Sequence, residues 1–401
     1  MGDYFDTLET RSGEARAAEQ LKSLQEQVKL ASALPGYGDV FADTKLSSLE
    51  DLTKLPVLRK SELIEKQQTR AYGGFAAGVA AFDHVFQSPG PIYEPGNTGP
   101  DWWRMGRFLH AVGLGSDDIV QNCFGYHMTP AGMMFENGAR AVGATVFPAG
   151  TGQTELQANA AAEIGCTAYA GTPDYLKVIL DKMDEAGLPI FFTKAAVSGG
   201  ALFPSLRQAY ADRGIACLQC YATADLGNIA YERQAQDGMI VDEGVIVGIV
   251  RPGTGDPVAD GEVGEVIVTA LNPDYPLIRF ATGDLSAVLP GESPCGRTNT
   301  RIKGWMGRAD QTTKVKGMFV RPEQVADIVA RHSDVHRARL VVTREKEADH
   351  LQVELETDGS DSASLAETVQ SVLKLRGEIV LVKPGSLPND GKVIDDRRSY
   401  D

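Results

Sequence analysis

The sequence predicts an α/β protein with a large N-terminal domain of parallel and mixed sheets flanked by helices, a β-rich subdomain within it, and a small C-terminal α+β domain. Helix-like and strand-like segments alternate between residues 101 and 221, which is typical of parallel sheets covered by helices. After Gly238 the pattern changes to short strands, and after residue 321 a second helix–strand alternation begins. A chain of 401 residues is long enough for one large and one small domain.

The elements of the large domain follow in order. Residues 8–70 show charged helical patterning, which predicts an N-terminal helical cap. Apolar spacing then predicts helices over residues 102–112, 131–142, 156–164, 175–186 and 206–213. Strands are predicted between them, over residues 119–123, 145–148, 194–198 and 217–221.

The β-rich and C-terminal parts carry shorter elements. Strands are predicted over residues 245–250, 265–269 and 277–280, separated by turns rich in Gly, Pro and Asp. The C-terminal unit is predicted as helices 322–331 and 362–375 with strands 338–343, 352–357 and 378–382. We place the boundary near residue 308, so that the predicted domains are residues 1–308 and 309–401.

Composition and charge exclude several classes of partner. The chain has 39 basic and 54 acidic residues, and its net charge of −15 argues against nucleic acid or an anionic membrane as the main partner. No apolar run approaches the ~20 residues that span a bilayer. The N-terminus, Met-Gly-Asp-Tyr-Phe-Asp, is acidic where a signal peptide is basic. We therefore expect a cytoplasmic protein.

The cysteines predict neither a disulfide framework nor a redox motif. Their number is five, which is odd, and the expected compartment is reducing. Cys217 and Cys220 form a lone Cys-x-x-Cys on a predicted strand, where side-chain alternation sends the two sulfurs to opposite faces.

Two motifs carry the first chemical signal. Residues 276–284, Pro-Leu-Ile-Arg-Phe-Ala-Thr-Gly-Asp, predict an apolar strand that delivers the Asp284 carboxylate into a glycine turn, where it can accept hydrogen bonds from ribose hydroxyls. Alone, a strand that ends in Thr-Gly-Asp is usually just a strand followed by a turn, with no binding role. Residues 307–317, Gly-Arg-Ala-Asp-Gln-Thr-Thr-Lys-Val-Lys-Gly, follow inside a basic stretch from Arg297 to Arg321. That stretch is either a solvated loop or counter-charge for the phosphates of ATP and coenzyme A.

Together the two motifs resemble the paired nucleotide-binding and hinge signatures of the adenylate-forming enzymes. Further segments resemble the phenylacetate-CoA ligase branch of that superfamily, and the resemblance covers roughly residues 85–398. These segments are residues 150–155, 171–175, 221–225 and 385–388, with Gly391 and Lys392 shortly after the last of them.

The resemblance implies an ATP-dependent ligase that activates an aromatic or compact carboxylic acid as an acyl-adenylate and then forms the coenzyme A thioester. It implies ATP, Mg²⁺ and coenzyme A as cofactors and leaves a homodimer open. The C-terminal domain would swing about Asp310 and bring Lys392 in for adenylation, and Asp225 would hold Mg²⁺. The implied nucleotide-binding residues are Ser198, Gly199, Gly200, Ala201, Cys220, Tyr221, Ala222, Thr223, Asp284 and Arg308. The implied acyl pocket comprises Phe124, Tyr126 and His127.

This sequence departs from the family pattern at several places. The family's phosphate loop aligns with residues 88–93, Ser-Pro-Gly-Pro-Ile-Tyr, and prolines donate no N–H to an anion. Asp225 and Ala201 each replace a glutamate, and His127 replaces a glycine, which narrows the pocket or presents a polar tip. The positions of the zinc ligands in many relatives read Arg233, Ile240, Ser293 and Cys295, so we expect no zinc.

These departures keep two alternatives open. One is a binding protein of the same fold that retains an AMP or coenzyme A site without efficient ATP chemistry. The other is an adenylating enzyme whose acceptor is a carrier protein or an amine. Lys392, read without the family context, is simply an exposed lysine near the C-terminus.

Overall fold

The computed structural model describes residues 3–42, 44–200, 202–309, 311, 313–316, 318–345, 348–359, 362–388, 390 and 392–398. Three residues named above, Ala201, Asp310 and Gly391, lie outside this part of the chain. Internal contacts divide the chain into two compact units. The first comprises Met1–Val247, Val268–Phe280 and Leu289–Gly304, and the second comprises Gly248–Ile267, Ala281–Val288 and Trp305–Asp401. The functional domain boundary near residue 308 stays a prediction.

The first unit contains most of the helices and strands. Its helices are α1 (Gly13–Ala31), α2 (Lys60–Gln67), α3 (Gly106–Val112), α4 (Ala131–Ala141), α5 (Thr154–Ile164), α6 (Pro173–Glu185) and α7 (Pro204–Asp212). Its first strands are β1 (Leu58–Arg59), β2 (His84–Ser88), β3 (Ile92–Gly96), β4 (Ile119–Asn122), β5 (Thr145–Phe147), β6 (Ala168–Gly171), β7 (Lys194–Val197), β8 (Ala216–Thr223), β9 (Gly227–Glu232) and β10 (Met239–Val241). Short 3-10 helices lie at Thr7–Thr10, Gly38–Phe41, Leu49–Lys54, Ala71–Gly74 and Val79–Ala81.

Several further strands have residues in both units. They are β11 (Val245–Val250), β12 (Gly264–Ala270), β13 (Phe280–Ser286) and β14 (Val288–Leu289), and β15 (Arg301–Ile302) returns to the first unit. A four-stranded sheet has the order β1-β13-β12-β11. None of the helices in the described part of the chain is long and apolar enough to cross a membrane.

The largest sheet has the strand order β14-β15-β10-β9-β8-β7-β6-β4-β5. From β5 to β8 the neighbouring strands are parallel, and from β8 through β9 and β10 to β15 they are antiparallel. The parallel half is the region where helix and strand signals alternate in the sequence, because parallel neighbours need a crossover connection. The structure therefore confirms the predicted fold class of sheets flanked by helices.

The two faces of this sheet are covered by separate cores. On β6, Ala168 and Ala170 pack with α3 and α4, whereas Tyr169 between them packs with α5, α6 and α7. Side-chain alternation along a strand produces this division. Cys217 and Cys220 of β8 fall into opposite cores, which confirms that their sulfurs face opposite ways.

The second unit is a small α+β structure around its own core. Its elements are β16 (Thr313–Val315), β17 (Met318–Val320), α8 (Pro322–Ala330), β18 (Val335–Glu345), β19 (Ala348–Thr357), α9 (Ser362–Leu373), β20 (Glu378–Val382) and β21 (Ile394–Asp396). The sheet order is β20-β19-β18-β21, with β18 and β19 antiparallel. Its apolar core includes Val325 and Ile328 of α8 with Leu365 and Val369 of α9.

Three predicted elements are wrong in extent. The N-terminal cap contains one long helix, α1, followed by short turns and α2. The helix predicted from residue 102 begins only at Gly106, because the Asp101 carboxylate accepts the Gly106 N–H at 2.9 Å and residues Asp101 and Arg104 have positive φ. The strand predicted over residues 277–280 instead runs over Phe280–Ser286. Asp284 thus lies within a strand and not in a turn after it.

Candidate functional site

In the first unit, the predicted adenine and acyl segments meet at the carboxyl edge of the parallel strands. Strands β4 and β7 end at Asn122 and Val197, and the chain continues into Phe124 and Gly199. A Cβ atom at Gly199 would lie 3.8 Å from the Phe124 ring and 3.8 Å from Thr172, which follows β6. Crevices at this edge are where open α/β sheets bind ligands. The sequence predicted this meeting from resemblance, and parallel pairing explains it physically.

The nucleotide segments of β7 and β8 are held together by a side chain. Ser198, buried at the end of β7, donates its hydroxyl to the Cys220 carbonyl at 3.0 Å. The Cys220 thiol points into the apolar core, where burial raises its pKa to about 12. Only backbone atoms of Cys220 are therefore placed to meet a ligand. Downstream, Thr223 accepts the Leu226 N–H at 3.2 Å, which shapes the turn that carries Asp225.

The predicted nucleotide-binding residues after β7 and at the end of β8 differ in size. Gly200 and Ala222 are small, and Tyr221 is large. A Cβ atom at Gly200 would lie 3.4 Å from Pro173, so the chain passes close to the start of α6. Tyr221 is 7% exposed, and Ala222 is half-buried. These residues lie side by side at the ends of β7 and β8. Their contacts to adenine stay a prediction.

The predicted acyl-pocket residues differ in exposure. Phe124 is buried against Phe135, with ring centroids 4.3 Å apart. The Tyr126 hydroxyl accepts a hydrogen bond from the Asn122 side chain at 2.8 Å, and burial raises the pKa of Tyr126 well above its usual value. His127 is exposed. The loop therefore contains a buried aromatic ring, Phe124, and a phenol held by a hydrogen bond, Tyr126. His127 faces the solvent.

Asp225 is part of a buried polar cluster that the sequence did not reveal. Its side chain is 1% exposed, and its Oδ2 lies 3.1 Å from Nζ of Lys60, the first residue of α2. Glu94 of β3, 1% exposed, accepts a hydrogen bond from the Ser88 hydroxyl. Burial, and next the negative charge of Asp225, raise the pKa of Glu94 to about 8. We call Asp225, Lys60, Glu94 and Tyr275 the buried acidic cluster.

Several oxygens of this cluster lack partners. Asp225 Oδ1, Glu94 Oε2 and the Tyr275 hydroxyl have no hydrogen-bond partner among the described residues. Unpaired buried polar atoms are costly, so they point to a missing water or ligand. No sequence signal links Lys60, Glu94 and Tyr275 to Asp225, because folding alone brings these distant segments together.

The buried acidic cluster fits the Mg²⁺ that the resemblance implies. Mg²⁺ prefers oxygen ligands and usually takes one or two carboxylates plus waters and phosphate oxygens. Asp225 Oδ1 and Glu94 Oε2 are two such oxygens. No group of three or more His, Cys, Asp or Glu in the described chain is arranged as a metal cage. A ligand would therefore have to complete the coordination.

The four positions aligned with zinc ligands make other contacts. Arg233 donates to the Ala111 carbonyl at 3.2 Å, and Ile240 is buried on β10. Ser293 Oγ and Cys295 Sγ lie 3.1 Å apart. Nearby Arg297 forms a buried ion pair with Glu9. The expectation that the protein holds no zinc stays a prediction.

The segment aligned with the phosphate loop is a hairpin. Strands β2 and β3 pair antiparallel from His84–Gly96 to Ser88–Ile92, and residues 89–91 make the connection. Two of these three residues, Pro89 and Pro91, have no N–H. The hairpin instead contributes Glu94 to the buried acidic cluster, together with the Ser88 hydroxyl that donates to it.

In the second unit the two motifs that first indicated the site pair through their backbones. Ala309 donates to the Gly283 carbonyl at 2.7 Å, Leu285 to the Gly307 carbonyl at 2.9 Å, and Met306 to the Leu285 carbonyl at 2.9 Å. Gly283 has a φ of +73°, and a Cβ atom there would lie 2.8 Å from the Arg308 guanidinium. Glycine suits this position because a side chain is strained at this φ and would also displace the Arg308 guanidinium from its place.

This pairing brings two hydrogen-bond donors to the Asp284 carboxylate. Arg308 Nη1 lies 2.9 Å from Asp284 Oδ1, and Trp305 Nε1 lies 3.1 Å from the same oxygen. Asp284 is 7% exposed, whereas the Arg308 side chain is 54% exposed. The sequence predicted Asp284 and Arg308 as site residues, and it missed Trp305. Trp305 lies two residues before the Gly307-Arg308 motif, and this position is the sequence signal that could have identified it.

Lys392 lies elsewhere in the second unit. Its Nζ is 3.4 Å from Asp395 Oδ1, and it lines a cavity of about 420 Å³ with Val325, Ala338 and Leu387. Burial opposes ionisation of Asp395, but hydrogen bonds from Arg339 and Arg397 outweigh it and lower the pKa of Asp395 to about 2. Lys392 thus has a stable counter-ion, and its catalytic role stays a prediction.

Comparison with known proteins gives a consistent group of relatives. The phenylacetate-coenzyme A ligase of Pseudomonas putida is 29% identical over 347 residues, which cover 81% of this chain and 78% of that protein. The ligase of the same name from Aromatoleum evansii is 28% identical, and the match covers 88% of this chain and 84% of that protein. That of Escherichia coli (strain K12) is 27% identical, with 97% and 96% covered. No family model matches the chain.

Solved structures share the fold. Crystal structures of 2-hydroxyisobutyryl-CoA ligase align with a TM-score of 0.71 and 24% identity, and the one in the postadenylation state covers 97% of this chain and 91% of its own. A structure in complex with 2-HIB-AMP and CoA in the thioesterification state covers 99% of this chain and 93% of its own, with the same TM-score of 0.71. The relatives confirm the resemblance to the phenylacetate-CoA ligase branch of the adenylate-forming enzymes, and the structures confirm the fold.

Proposed function

We propose that the protein is an ATP-dependent, AMP-forming acid–thiol ligase that converts a carboxylic acid into its coenzyme A thioester through an acyl-adenylate. The observation that carries this proposal is the backbone pairing that sets Asp284 and Arg308 side by side. It joins the two motifs that resemble the nucleotide-binding and hinge signatures. The relatives named phenylacetate-coenzyme A ligase support the same activity.

The reaction has two steps. In the first, a carboxylate oxygen attacks the α-phosphorus of ATP, and pyrophosphate leaves. In the second, the thiol of coenzyme A attacks the acyl carbon, AMP leaves with the electron pair of the broken bond, and the thiol proton is released. Asp284 would accept the ribose hydroxyls, because a carboxylate only accepts hydrogen bonds and vicinal hydroxyls can donate two.

The charged groups of the site suit the first step. Mg²⁺, when bound, neutralises phosphate charge, and Asp225 and Glu94 would hold it. Lys392 is proposed to stabilise the negative charge that develops during adenylation, which is a role that a flexible ammonium group suits. Asp310 is proposed as the hinge that lets Lys392 leave before the second step.

We further propose an aromatic or compact acid as the substrate. Phe124 lies beside Gly199, so the acyl group and the nucleotide would share one wall of the site. The half-buried phenol of Tyr126, held by Asn122, would form another part of the acyl pocket. Phenylacetate and benzoate are therefore the first acids to test, with 2-hydroxyisobutyrate as a compact aliphatic comparison.

A product assay tests the reaction class. Purified protein is incubated with each acid, ATP, Mg²⁺ and coenzyme A, and AMP, ADP, pyrophosphate and phosphate are quantified. We expect AMP and pyrophosphate in equal amounts, because attack at the α-phosphorus releases them together. Formation of ADP would overturn the proposal. Replacing coenzyme A by a carrier protein or an amine tests the acceptor.

The proline-containing hairpin favours one second candidate, a nucleotide-binding protein without ATP turnover. Pro89 and Pro91 cannot donate N–H groups to phosphates. Pyrophosphate exchange separates the candidates, since only the ligase returns labelled pyrophosphate to ATP in the presence of the acid. Binding of AMP without exchange with any acid would favour the second candidate.

Lys392→Ala tests the two-step scheme. The variant should slow formation of the acyl-adenylate by ~10²–10³, because stabilisation of developing charge is lost. With chemically made acyl-adenylate it should form the thioester at nearly the parent rate. Lys383→Ala, which removes an exposed lysine of the same unit, is the control. Equal losses in both steps would contradict a role confined to adenylation.

A further inference from the structure

Trp305 is a large aromatic residue that the fold leaves 54% exposed. The next residue, Met306, is 42% exposed, so two large apolar side chains stand at the surface beside Asp284. Apolar exposure at single positions is common and needs no explanation. The indole, however, is not merely exposed, because its N–H donates to Asp284 Oδ1 at 3.1 Å.

The backbone around Trp305 fixes this contact. Met306 donates its N–H to the Leu285 carbonyl at 2.9 Å, and Leu285 donates to the Gly307 carbonyl at 2.9 Å. Trp305 thus precedes a segment that is paired with the strand of Asp284. The side chain reaches the carboxylate from a position set by the backbone.

Arg308 alone would hold the carboxylate less firmly. Its side chain is 54% exposed, and a long exposed side chain loses rotamer entropy when it keeps one position. An indole has a planar ring with few rotamers and a single donor, so its hydrogen bond sets direction more narrowly. The two donors converge on one oxygen from different residues of the same segment, residues 305–308.

We propose that Trp305 is a positioning residue of the nucleotide site, whose indole N–H holds the Asp284 carboxylate in the orientation that receives the ribose hydroxyls. This inference rests on the proposed function. A carboxylate has about four lone-pair sites, so donors on one oxygen do not by themselves exclude ligand hydroxyls. If Asp284 receives the ribose, the half-exposed ring would lie beside the bound nucleotide, because its N–H contacts the same carboxylate.

The experiment compares two tryptophan-to-phenylalanine variants. Trp305→Phe keeps an aromatic ring and removes the N–H that reaches Asp284. Trp102→Phe is the matched control, because the half-buried Trp102 also directs its indole N–H at a carboxylate, Asp274, at 3.4 Å. AMP affinity is measured by calorimetry, and KM for ATP and kcat by the product assay.

We expect Trp305→Phe to raise the Kd for AMP and the KM for ATP by roughly 3- to 10-fold, less than the loss of a whole hydrogen bond to a charged group, because the Asp284 carboxylate itself remains. The melting temperature and kcat should change little, and Trp102→Phe should bind AMP like the parent. In an Asp284→Ala background, Trp305→Phe should have no further effect, since the group it positions is gone.

Fluorescence gives an independent readout, because the chain has three tryptophans. AMP should change the emission of the parent and of Trp102→Phe, and it should leave the emission of Trp305→Phe unchanged. Parental AMP affinity in Trp305→Phe, or a further loss when the variant is added to Asp284→Ala, would overturn the inference. If Asp284→Ala itself binds AMP like the parent, the nucleotide site fails as well. If Asp284→Ala weakens AMP binding and Trp305→Phe does not, the proposed function is retained and the positioning role of Trp305 is wrong.

Discussion

Asp225 in the first unit and Asp284 in the second are the same residue type, and each is 7% exposed. Their surroundings differ. Asp225 shares the buried acidic cluster with a second carboxyl group, Glu94, and keeps an oxygen without a partner among the described residues. Asp284 receives two donors, from Arg308 and Trp305. Burial alone therefore does not tell what a carboxylate does.

The two sites differ in the kind of ligand group that each is suited to bind. Two carboxyl groups with one lysine attract a cation, because unpaired carboxylate oxygens in a low-dielectric interior are costly until charge is added. A carboxylate held by fixed donors is instead an oriented acceptor for hydroxyl groups. We infer that Asp225 serves the metal and phosphate end of the nucleotide and that Asp284 serves the ribose. Variants at the two positions should fail in different assays.

The largest expected effect is that of Asp225→Asn on adenylation. Loss of the negative charge should slow acyl-adenylate formation by about 10²-fold, comparable to removal of one electrostatic stabiliser from an active site. AMP affinity should change little, because AMP lacks the β- and γ-phosphates whose charge Mg²⁺ would neutralise. The assay is pyrophosphate exchange over a range of Mg²⁺ concentrations. Asp225→Glu, which restores the residue of the family pattern, should recover much of the rate. Equal rates for the asparagine variant and the parent would contradict the assignment.

The next effect is that of Asp284→Ala on nucleotide binding. Affinity for AMP should fall by roughly 1.5–3 kcal/mol, the scale of hydrogen bonds to a charged group. Calorimetry measures the change directly. Asp260→Ala, at an exposed aspartate of the same unit, should bind AMP normally. If both variants bind equally well, the paired strand around Asp284 has only a structural role.

A third effect concerns the pH dependence of stability set by Glu94. Its pKa is about 8 in the folded protein, against 4.5 for a free glutamate, and burial is the largest cause. Between these values the folded state holds a proton that the unfolded state has lost, so the free energy of unfolding falls as pH rises through this window. Glu94→Gln carries no such proton and should lose less stability between pH 5 and pH 8, by about 3.5 kcal/mol.

Urea unfolding at several pH values checks this slope. Glu14→Gln, at an exposed position of α1, is the control and should follow the parent. Parallel curves for the parent and Glu94→Gln would show that Glu94 is ionised in the folded protein. The contrast between the two aspartates would then rest on Lys60 alone.

The sequence by itself determined the layered fold and supplied the candidate site residues, whose roles stay predictions. Helix and strand periodicities predicted the alternating elements of the parallel region, since burial on two faces leaves a local pattern. The motif around Arg308 and the Thr-Gly-Asp segment identified Asp284 without coordinates. The same reading misplaced the strand near Leu277, because a short segment with three apolar residues, Leu-Ile-Arg-Phe, is equally compatible with a strand and with a buried loop. Only the structure showed that the strand begins at Phe280.

Only the tertiary structure decided which charges meet. Lys60, Glu94 and Tyr275 come from separate segments and gave no local signal, yet they surround Asp225. Trp305 was hidden for a different reason, since an exposed tryptophan beside a motif acquires meaning only when its N–H is seen to reach a carboxylate. Periodicity is a property of neighbouring residues and survives in the sequence. Electrostatic partnership depends on distances across the fold, which the chain order does not contain.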